Sequence, residues 1–331
     1  MKAICYKNTE SIKPFWATPV HEDNQWGYAY ETDTHFVHFY GTNHGLYVIS
    51  TDMVMTEQKK GTLKDWATTI CGAIDFKPMD TEVGQTVDSI WRPCLYYEDE
   101  INEALNIDKF EQRSCEQALR ILIDKLDSLF WYIEPEGKGL EAYSHKTREL
   151  LILACTETEN HLKALLKKAN ASPINGKTFT TKDYVKLCKK AHLTEYQLML
   201  RNYDYGPVNP FLDWNKRQPT QSLPWYDAYN KTKHDRSNEF HVASLNNVIK
   251  AIAANIVLYI VRFGPFPLLH GTRTLSSIVN QIFNIMMVDS NVKTFYLPDL
   301  DLPSDLPKNL SIIRAHQSGY YKKWKINPLK I

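Results

Sequence analysis

The residues best suited to chemistry lie in one segment of the chain, between Trp225 and His241. The candidates within this segment are Asn230, Lys233, His234, Arg236 and His241. Histidine exchanges protons near neutral pH, and the guanidinium group of arginine binds phosphate oxygens through two parallel hydrogen bonds. These residue types are therefore candidates for proton transfer beside a bound phosphate group.

Helical geometry places several of these side chains on one face. At about 100° per residue, His234 and His241 lie about 20° apart, and Asn230 lies about 40° from His234. The apolar stripe of the following segment, traced backwards, passes through His241, Asn238 and His234, so we expect these groups to face inward. Arg236 and His241 are about 140° apart on an ideal helix. A site shared by these two residues needs a break in the helix or a second copy of the chain.

The element that carries these residues is predicted to begin near Ser222. Ser222 is a suitable N-cap, and Pro224 is tolerated in a first helical turn. No Gly or Pro follows until Gly264. The intervening residues form either one long helix or two helices broken near residues 235–238, where short polar side chains compete for backbone hydrogen bonds.

Four further segments have the residue spacing of amphipathic helices. They are residues 115–133, 140–170, 181–190 and 272–287. The run from Ala251 to Val261 is apolar apart from Asn255, and it is far shorter than the roughly 18 residues of a membrane span. It predicts a buried helix.

The first hundred residues have a different pattern. Residues 35–40 and 46–50 are rich in aromatic and β-branched side chains, and residues 41–45 between them suit a turn, so a hairpin is predicted. Thr62 is predicted to cap a short helix that ends at Cys71.

Together these patterns predict an α+β protein of three parts. Residues 1–100 form a small mixed α+β unit, residues 101–288 form an α-helical bundle, and residues 289–331 form a short irregular segment. Basic and aromatic residues are concentrated in this last segment. Its aromatic side chains either bind single-stranded nucleic acid or pack on the N-terminal unit while its lysines face water.

The charge of the whole chain excludes a global attraction to nucleic acid or to an anionic membrane. The formal net charge is +1, but the stretch from Leu306 to Ile331 has six Lys and Arg residues and no Asp or Glu. A nucleic-acid partner must therefore bind a local basic patch.

The motif around the candidate residues resembles that of a known group of proteins. Pro210-Phe-x-x-Trp214, followed by Leu223-Pro-Trp-Tyr-x-Ala-Tyr-Asn-x-x-Lys-His-x-Arg236, is similar to the motif of a mostly bacterial group with a helical domain like that of the HEPN superfamily (higher eukaryotes and prokaryotes nucleotide-binding). The resemblance covers roughly residues 140–265. Many HEPN proteins are metal-independent ribonucleases of toxin and antiphage systems that act as dimers, with an Arg-x4 to x6-His motif. Residues 236–241 match that spacing.

The resemblance implies a HEPN-like bundle, a homodimer and a metal-independent endoribonuclease or toxin-like defence effector that acts on RNA. In such an enzyme His241 is the acid or base, Arg236 binds the phosphate, and Asn230, Lys233 and His234 orient the substrate. Metal-free cleavage needs a base for the 2′-hydroxyl, an acid for the leaving 5′-oxygen and a cation for the charge on phosphorus. The alternative is a noncatalytic HEPN-like module that dimerises or binds a nucleotide or a partner, in which these residues are structural.

The motifs predict no cofactor and no metal site. His35, His38 and His44 lie near Asp33, but His35 and His38 have opposite parity on a strand and are predicted to be surface or packing residues. The six cysteines include no Cys-x-x-Cys pair, which fits a reducing cytoplasm. The first residues lack the apolar core of a signal peptide. No membrane partner is expected, because the most apolar run is too short for a membrane span. The N-terminal unit is a candidate surface for a protein partner.

Overall fold

The computed structural model describes residues 2–10, 25–42, 45–270 and 273–331. It is a mixed α+β structure, 42% helical and 18% strand, with an N-terminal sheet and helices after it. The predicted fold class is therefore confirmed at this level. His44, one of the histidines considered above, lies outside the described residues.

The elements are numbered here in chain order. The strands are β1 Ile4–Lys7, β2 Trp26–Glu31, β3 His35–Gly41, β4 Ile49–Gln58, β5 Ile74–Pro78, β6 Gln85–Val87, β7 Tyr196–Leu200, β8 Phe283–Met287, β9 Ser311–Arg314 and β10 Lys325–Asn327. The α-helices are α1 Leu63–Cys71, α2 Glu98–Ala104, α3 Lys109–Phe130, α4 His145–Lys168, α5 Thr181–Tyr184, α6 Leu187–Lys190, α7 Pro224–His234, α8 Arg236–Glu239, α9 Leu245–Phe263, α10 Phe266–Leu269 and α11 Thr274–Ile282. Short 3-10 helices cover Gly137–Glu141, Leu193–Glu195, Phe240–Val242 and Val292–Thr294.

The chain divides into two compact units. The sheet unit comprises Met1–Val87, Arg92–Ala104 and Ser290–Asn327, and the helical unit comprises Asp88–Trp91, Leu105–Asp289 and Pro328–Ile331. These units differ from the three predicted parts, because most of the C-terminal segment belongs to the sheet unit.

The sheet unit is built on a six-stranded antiparallel sheet with the order β5-β1-β2-β3-β4-β9. The predicted hairpin is confirmed in part: β3 matches residues 35–40, but β4 covers Ile49–Gln58 and shares only residues 49–50 with the strand predicted at residues 46–50. The predicted helix is α1, whose N-cap Thr62 accepts a hydrogen bond from the backbone N–H of Asp65. The helix ends at Gly72, whose left-handed backbone (φ 56°) favours glycine.

The histidines of β3 are packing residues. His35 and His38 are both buried, and the Nδ1 of His38 lies 2.6 Å from the hydroxyl oxygen of Tyr6. The described residues contain no group of three or more side chains placed to hold a metal ion.

The C-terminal segment pairs with strands of the N-terminal region. β9 adds to the sheet beside β4, and β10 runs parallel to β6. Trp324 is buried and Tyr321 is half-buried, while Lys322 and Lys323 are exposed. This is the second of the two arrangements predicted for the segment, in which the aromatic side chains pack and the lysines face water.

The helical unit is organised around α9, which packs against α3, α4 and α7. Asn255 interrupts its apolar sequence and is fully buried. The amide of Asn255 donates to the carbonyl oxygen of Ala154 (2.8 Å) and to the hydroxyl of Thr158 (3.1 Å), both on α4. A buried amide is tolerated when it is hydrogen-bonded, so Asn255 fixes the register of α9 on α4.

α9 is the only described helix long and apolar enough to cross a membrane, and 83% of its most apolar window is buried. That burial is consistent with the core helix of a soluble protein.

The bounds of four predicted helices need correction. The helix predicted over residues 115–133 begins at Lys109, where Asp108 caps it, and ends at Phe130. The helix predicted over residues 140–170 begins at His145, because Ser144 caps it there. The helix predicted over residues 181–190 is two short helices, α5 and α6. The helix predicted over residues 272–287 stops at Ile282, and Phe283–Met287 forms β8. A helix and a buried strand are hard to distinguish in a short apolar run, and here the pairing of β8 with β7 decides.

A buried polar group links α9 to α3 and α4. Arg262 is 3% exposed, and its guanidinium donates to the Glu111 carboxylate and to Nδ1 of His161, at 2.9 Å in the second case. The sulfur of Cys115 lies 3.6 Å from the same guanidinium. Because an arginine cannot accept a hydrogen bond, His161 accepts through Nδ1 and is neutral. Burial and the charge of Arg262 both hold the pKa of His161 well below its usual value.

This arrangement predicts a pH-dependent stability. As the pH falls below about 6.5, the unfolded chain binds a proton at His161 that the folded chain does not, so the stability falls by up to about 1.4 kcal/mol per pH unit. In His161→Gln this contribution is absent, and the variant gains stability relative to wild type between pH 7.5 and pH 5.5. Urea unfolding at several pH values measures the difference. The explanation is wrong if His161→Gln keeps the wild-type pH dependence.

Candidate functional site

The segment from Trp225 to His241 is broken at Asp235. The backbone of Asp235 is not helical (φ −133°, ψ 75°), so α7 ends at His234. Its carboxylate accepts hydrogen bonds from the backbone N–H of Asn238 (3.3 Å), the Asn238 amide (2.9 Å) and the Ser237 hydroxyl (3.0 Å). Asp235 thereby serves as the N-cap of α8, which is the local role that short acidic side chains favour. The broken helix is the second of the two predicted alternatives.

The N-terminal end of α4 lies beside the end of α7. A capping box formed by Ser144 and Thr147 starts α4 and makes His145 its first residue. Three residues further along α4, Nη2 of Arg148 donates to the carbonyl oxygen of Thr232 (3.0 Å). This contact ties the first turn of α4 to the last turn of α7, and it brings His145 into the neighbourhood of His234.

An open surface depression of about 550 Å³ lies at this junction. It is lined by His145, His234, Asp235, Arg236, Ser237 and Phe240. Among these, His145, His234 and Arg236 are all exposed to solvent. Two imidazoles and one guanidinium therefore share a solvent-accessible site. We refer to it below as the histidine depression.

The ring of Phe240 holds one wall of the histidine depression. It lies 4.9 Å from the ring of His145 and packs edge-on against Tyr143 at 5.5 Å, measured between ring centroids. The loop that carries Tyr143 is itself fixed, because Tyr143 forms a β-bridge with Ser244. The position of His145 therefore depends on packing between segments that are about 100 residues apart in the sequence.

His241 lines a second depression, of about 560 Å³, with Glu141, Tyr143 and Asn246 among its neighbours. Arg236 belongs to the lining of the first depression and His241 to that of the second. The pair assigned by the Arg-x4-His spacing is therefore distributed over two adjacent surface sites.

The prediction that the polar groups of this segment face inward is wrong. His234, Asn238 and His241 are all exposed. The prediction assumed one regular helix from His234 through α9. The backbone at Asp235 is not helical, so residues 234–241 do not continue the buried face of α9.

The two remaining candidates lie on α7. Asn230 is half-buried and Lys233 is exposed. The ammonium group of Lys233 donates to the hydroxyl of Tyr229 at 2.9 Å, and this contact raises the pKa of Lys233. Lys233 is therefore a cation at neutral pH.

The charges at the histidine depression are of both signs. Hydrogen bonds from the side chains of Asn238 and Ser237 lower the pKa of Asp235, so its carboxylate is ionised at neutral pH. Asp235 is next to Arg236 in the sequence, so its negative charge partly cancels the positive charge of Arg236 for a ligand at a distance. Within the histidine depression, the guanidinium of Arg236 is the cation that a phosphate group can contact.

Sequence analysis missed His145 and Phe240. His145 lay inside a predicted helix that began at Leu140, so it did not stand out as a helix-end residue. The pattern Ser144-x-x-Thr147 was the available signal, since an N-cap at Ser144 places His145 at the first helical position. Phe240 has no such local signal, because its contacts with Tyr143 and His145 are tertiary.

Comparisons with protein-family models, with curated proteins and with solved structures each give no match.

Proposed function

We propose that this protein is an endoribonuclease that needs no metal ion, and that its reaction takes place in the histidine depression. The observation that carries the proposal is the convergence of His145, His234 and Arg236 on one solvent-accessible site. These groups supply the two proton-transfer functions and the cation that RNA cleavage by transesterification requires.

In the proposed reaction one of the two imidazoles, in its neutral form, removes the proton of an RNA 2′-hydroxyl. The 2′-oxygen forms a bond to the adjacent phosphorus, and the bond from phosphorus to the 5′-oxygen breaks. The second imidazole, in its protonated form, gives its proton to that leaving oxygen. Arg236 binds the non-bridging oxygens, where negative charge increases in the transition state. The products are a 2′,3′-cyclic phosphate and a free 5′-hydroxyl.

The proposal also includes a HEPN-like fold for the helical unit and a homodimer. The motif described above supports both, and two of its residues, His234 and Arg236, line the histidine depression. Light scattering on the purified chain tests the dimer directly. A homodimer places two histidine depressions in one particle.

The direct test is incubation of purified protein with total cellular RNA in excess EDTA. We expect cleavage to continue, to leave 2′,3′-cyclic phosphate ends and to be lost in Arg236→Ala. Arg120→Ala is a matched control, because Arg120 is an exposed arginine elsewhere in the helical unit. Equal cleavage by both variants would show that the activity does not use this site.

The alternative function, a noncatalytic module that dimerises or binds a nucleotide or a partner, predicts a different result. The wild-type protein would then leave RNA intact in EDTA and in Mg²⁺. Binding of a labelled oligonucleotide or nucleotide, weakened by Arg236→Ala, would identify the depression as a binding site only.

A further inference from the structure

Two adjacent aromatic side chains are exposed at the end of α3. Trp131 is 74% exposed and Tyr132 is 75% exposed. Aromatic residues are normally largely buried, because each can remove a large apolar area from water. Two neighbouring exposed rings on a well-packed helical unit therefore point to a binding surface.

A cation lies beside one of these rings. The ammonium nitrogen of Lys146 lies 5.4 Å from the centroid of the Tyr132 ring. Lys146 also lines a cavity of about 240 Å³ between α3 and α4, together with Lys125, Ser128 and Glu149. Lys125 pairs with Glu149 at 3.0 Å, so Lys146 is the cation that lies against an exposed ring.

The first turn of α4 links the exposed aromatic pair to the histidine depression. Lys146 follows His145 directly in the first turn of α4, and His145 lines the depression. Tyr143, which is 51% exposed, packs on Phe240 at the wall of the same depression. The first turn of α4 therefore carries both Lys146, which lies against Tyr132, and His145, which lines the histidine depression.

We propose that Trp131, Tyr132 and Lys146 form a stacking platform for unpaired bases of single-stranded RNA, next to the site of cleavage. This inference rests on the proposed ribonuclease function, because it identifies the form of RNA that the same site accepts. Aromatic faces stack on any base, and lysines pair with the intervening phosphates, which gives affinity for single strands with little sequence preference. Duplex RNA keeps its bases stacked on each other and cannot use the rings.

The experiment measures the binding of a fluorescein-labelled uridine dodecamer with 2′-O-methyl groups, which cannot be cleaved because it lacks the 2′-hydroxyl. Fluorescence anisotropy is recorded in EDTA with the full chain. We expect Trp131→Ala and Tyr132→Ala each to raise the Kd by about 5- to 150-fold. A labelled duplex of the same length should bind more weakly than the single strand, and the two variants should not change its Kd.

Phe110→Ala is the matched control. Phe110 is 87% exposed on the same helix, but it lies at the other end of α3, about 30 Å away. Its removal should leave the Kd unchanged. A uniform loss of affinity in all three variants would show a general loss of apolar surface and would overturn the platform.

The outcomes separate this inference from the proposed function. If Trp131→Ala weakens binding of the dodecamer but the wild-type chain does not cleave RNA, the platform stands and the ribonuclease function fails. If the wild-type chain cleaves RNA and the two variants bind the dodecamer like wild type, the platform fails alone. If the variants change the oligomeric state in light scattering while RNA affinity is unchanged, the surface is a protein interface and the platform is overturned.

Discussion

Replacing His145 with alanine is expected to lower the rate of RNA cleavage by about 100- to 10,000-fold, the range typical for loss of a general acid or base. His145 is exposed at the first position of α4, so the substitution removes the imidazole without opening a core cavity. His234→Ala should give a loss of the same order, since each imidazole performs one of the two proton transfers of the proposed reaction. Initial rates on a dinucleotide substrate in EDTA measure both effects, and circular dichroism checks the fold.

His241→Ala distinguishes the structural assignment from the one implied by the Arg-x4-His motif. His241 lines the neighbouring depression, so its loss should change the rate by less than about tenfold. A severe loss in His241→Ala combined with full activity in His145→Ala would reverse the assignment. The catalytic pair would then be Arg236 and His241, as the motif implies.

Replacing Glu111 with glutamine is expected to destabilise the helical unit by about 2–3 kcal/mol. The change leaves the buried guanidinium of Arg262 without its ionised partner, and an uncompensated buried charge is costly. We expect less than the loss of a fully buried pair, because 36% of the Glu111 side chain is exposed to water. Glutamine suits the third position of a helix, so the substitution preserves the start of α3.

Asp124→Asn is the matched control for Glu111→Gln. Asp124 lies on the same helix and pairs with Arg120 at 3.8 Å, but both side chains are half-exposed. Exposed pairs of this kind contribute roughly 0–1 kcal/mol, so the control should be close to wild type. Urea unfolding followed by far-ultraviolet circular dichroism gives both free energies. Similar values for the two variants would mean that water solvates Arg262 in the folded protein.

The sequence predicted the elements whose ends depend on capping residues or whose burial follows from their own composition. Thr62 and Gly72 delimit α1 because an N-cap hydroxyl and a left-handed glycine act within a few residues. The apolar run around Asn255 predicted a buried helix, since its composition leaves no polar face. Aromatic and β-branched residues predicted β3, but β4 lies mostly beyond the strand predicted at residues 46–50.

The sequence pattern did not predict structure that depends on contacts between distant segments. Phe283–Met287 continues a helical pattern but forms a strand, because β7 offers it backbone partners. Arg262 is one charged residue at the end of an apolar run, and its partners Glu111 and His161 lie on two other helices. These pairings depend on packing, which a local window does not contain.

The candidate site, too, was only partly predictable from the sequence. The sequence alone determined that Asn230, Lys233, His234, Arg236 and His241 lie close together in the chain, and it offered a helix break near Asp235 as one of two alternatives. Which of them share a site depends on how distant helices pack. His145 joins His234 and Arg236 because Arg148 ties α4 to α7, and His241 lies apart because the chain turns after Asp235. Residue spacing predicts the direction of a side chain only while the backbone stays regular. It carries no information about which distant side chain, such as His145 about 90 residues from His234, packs beside it.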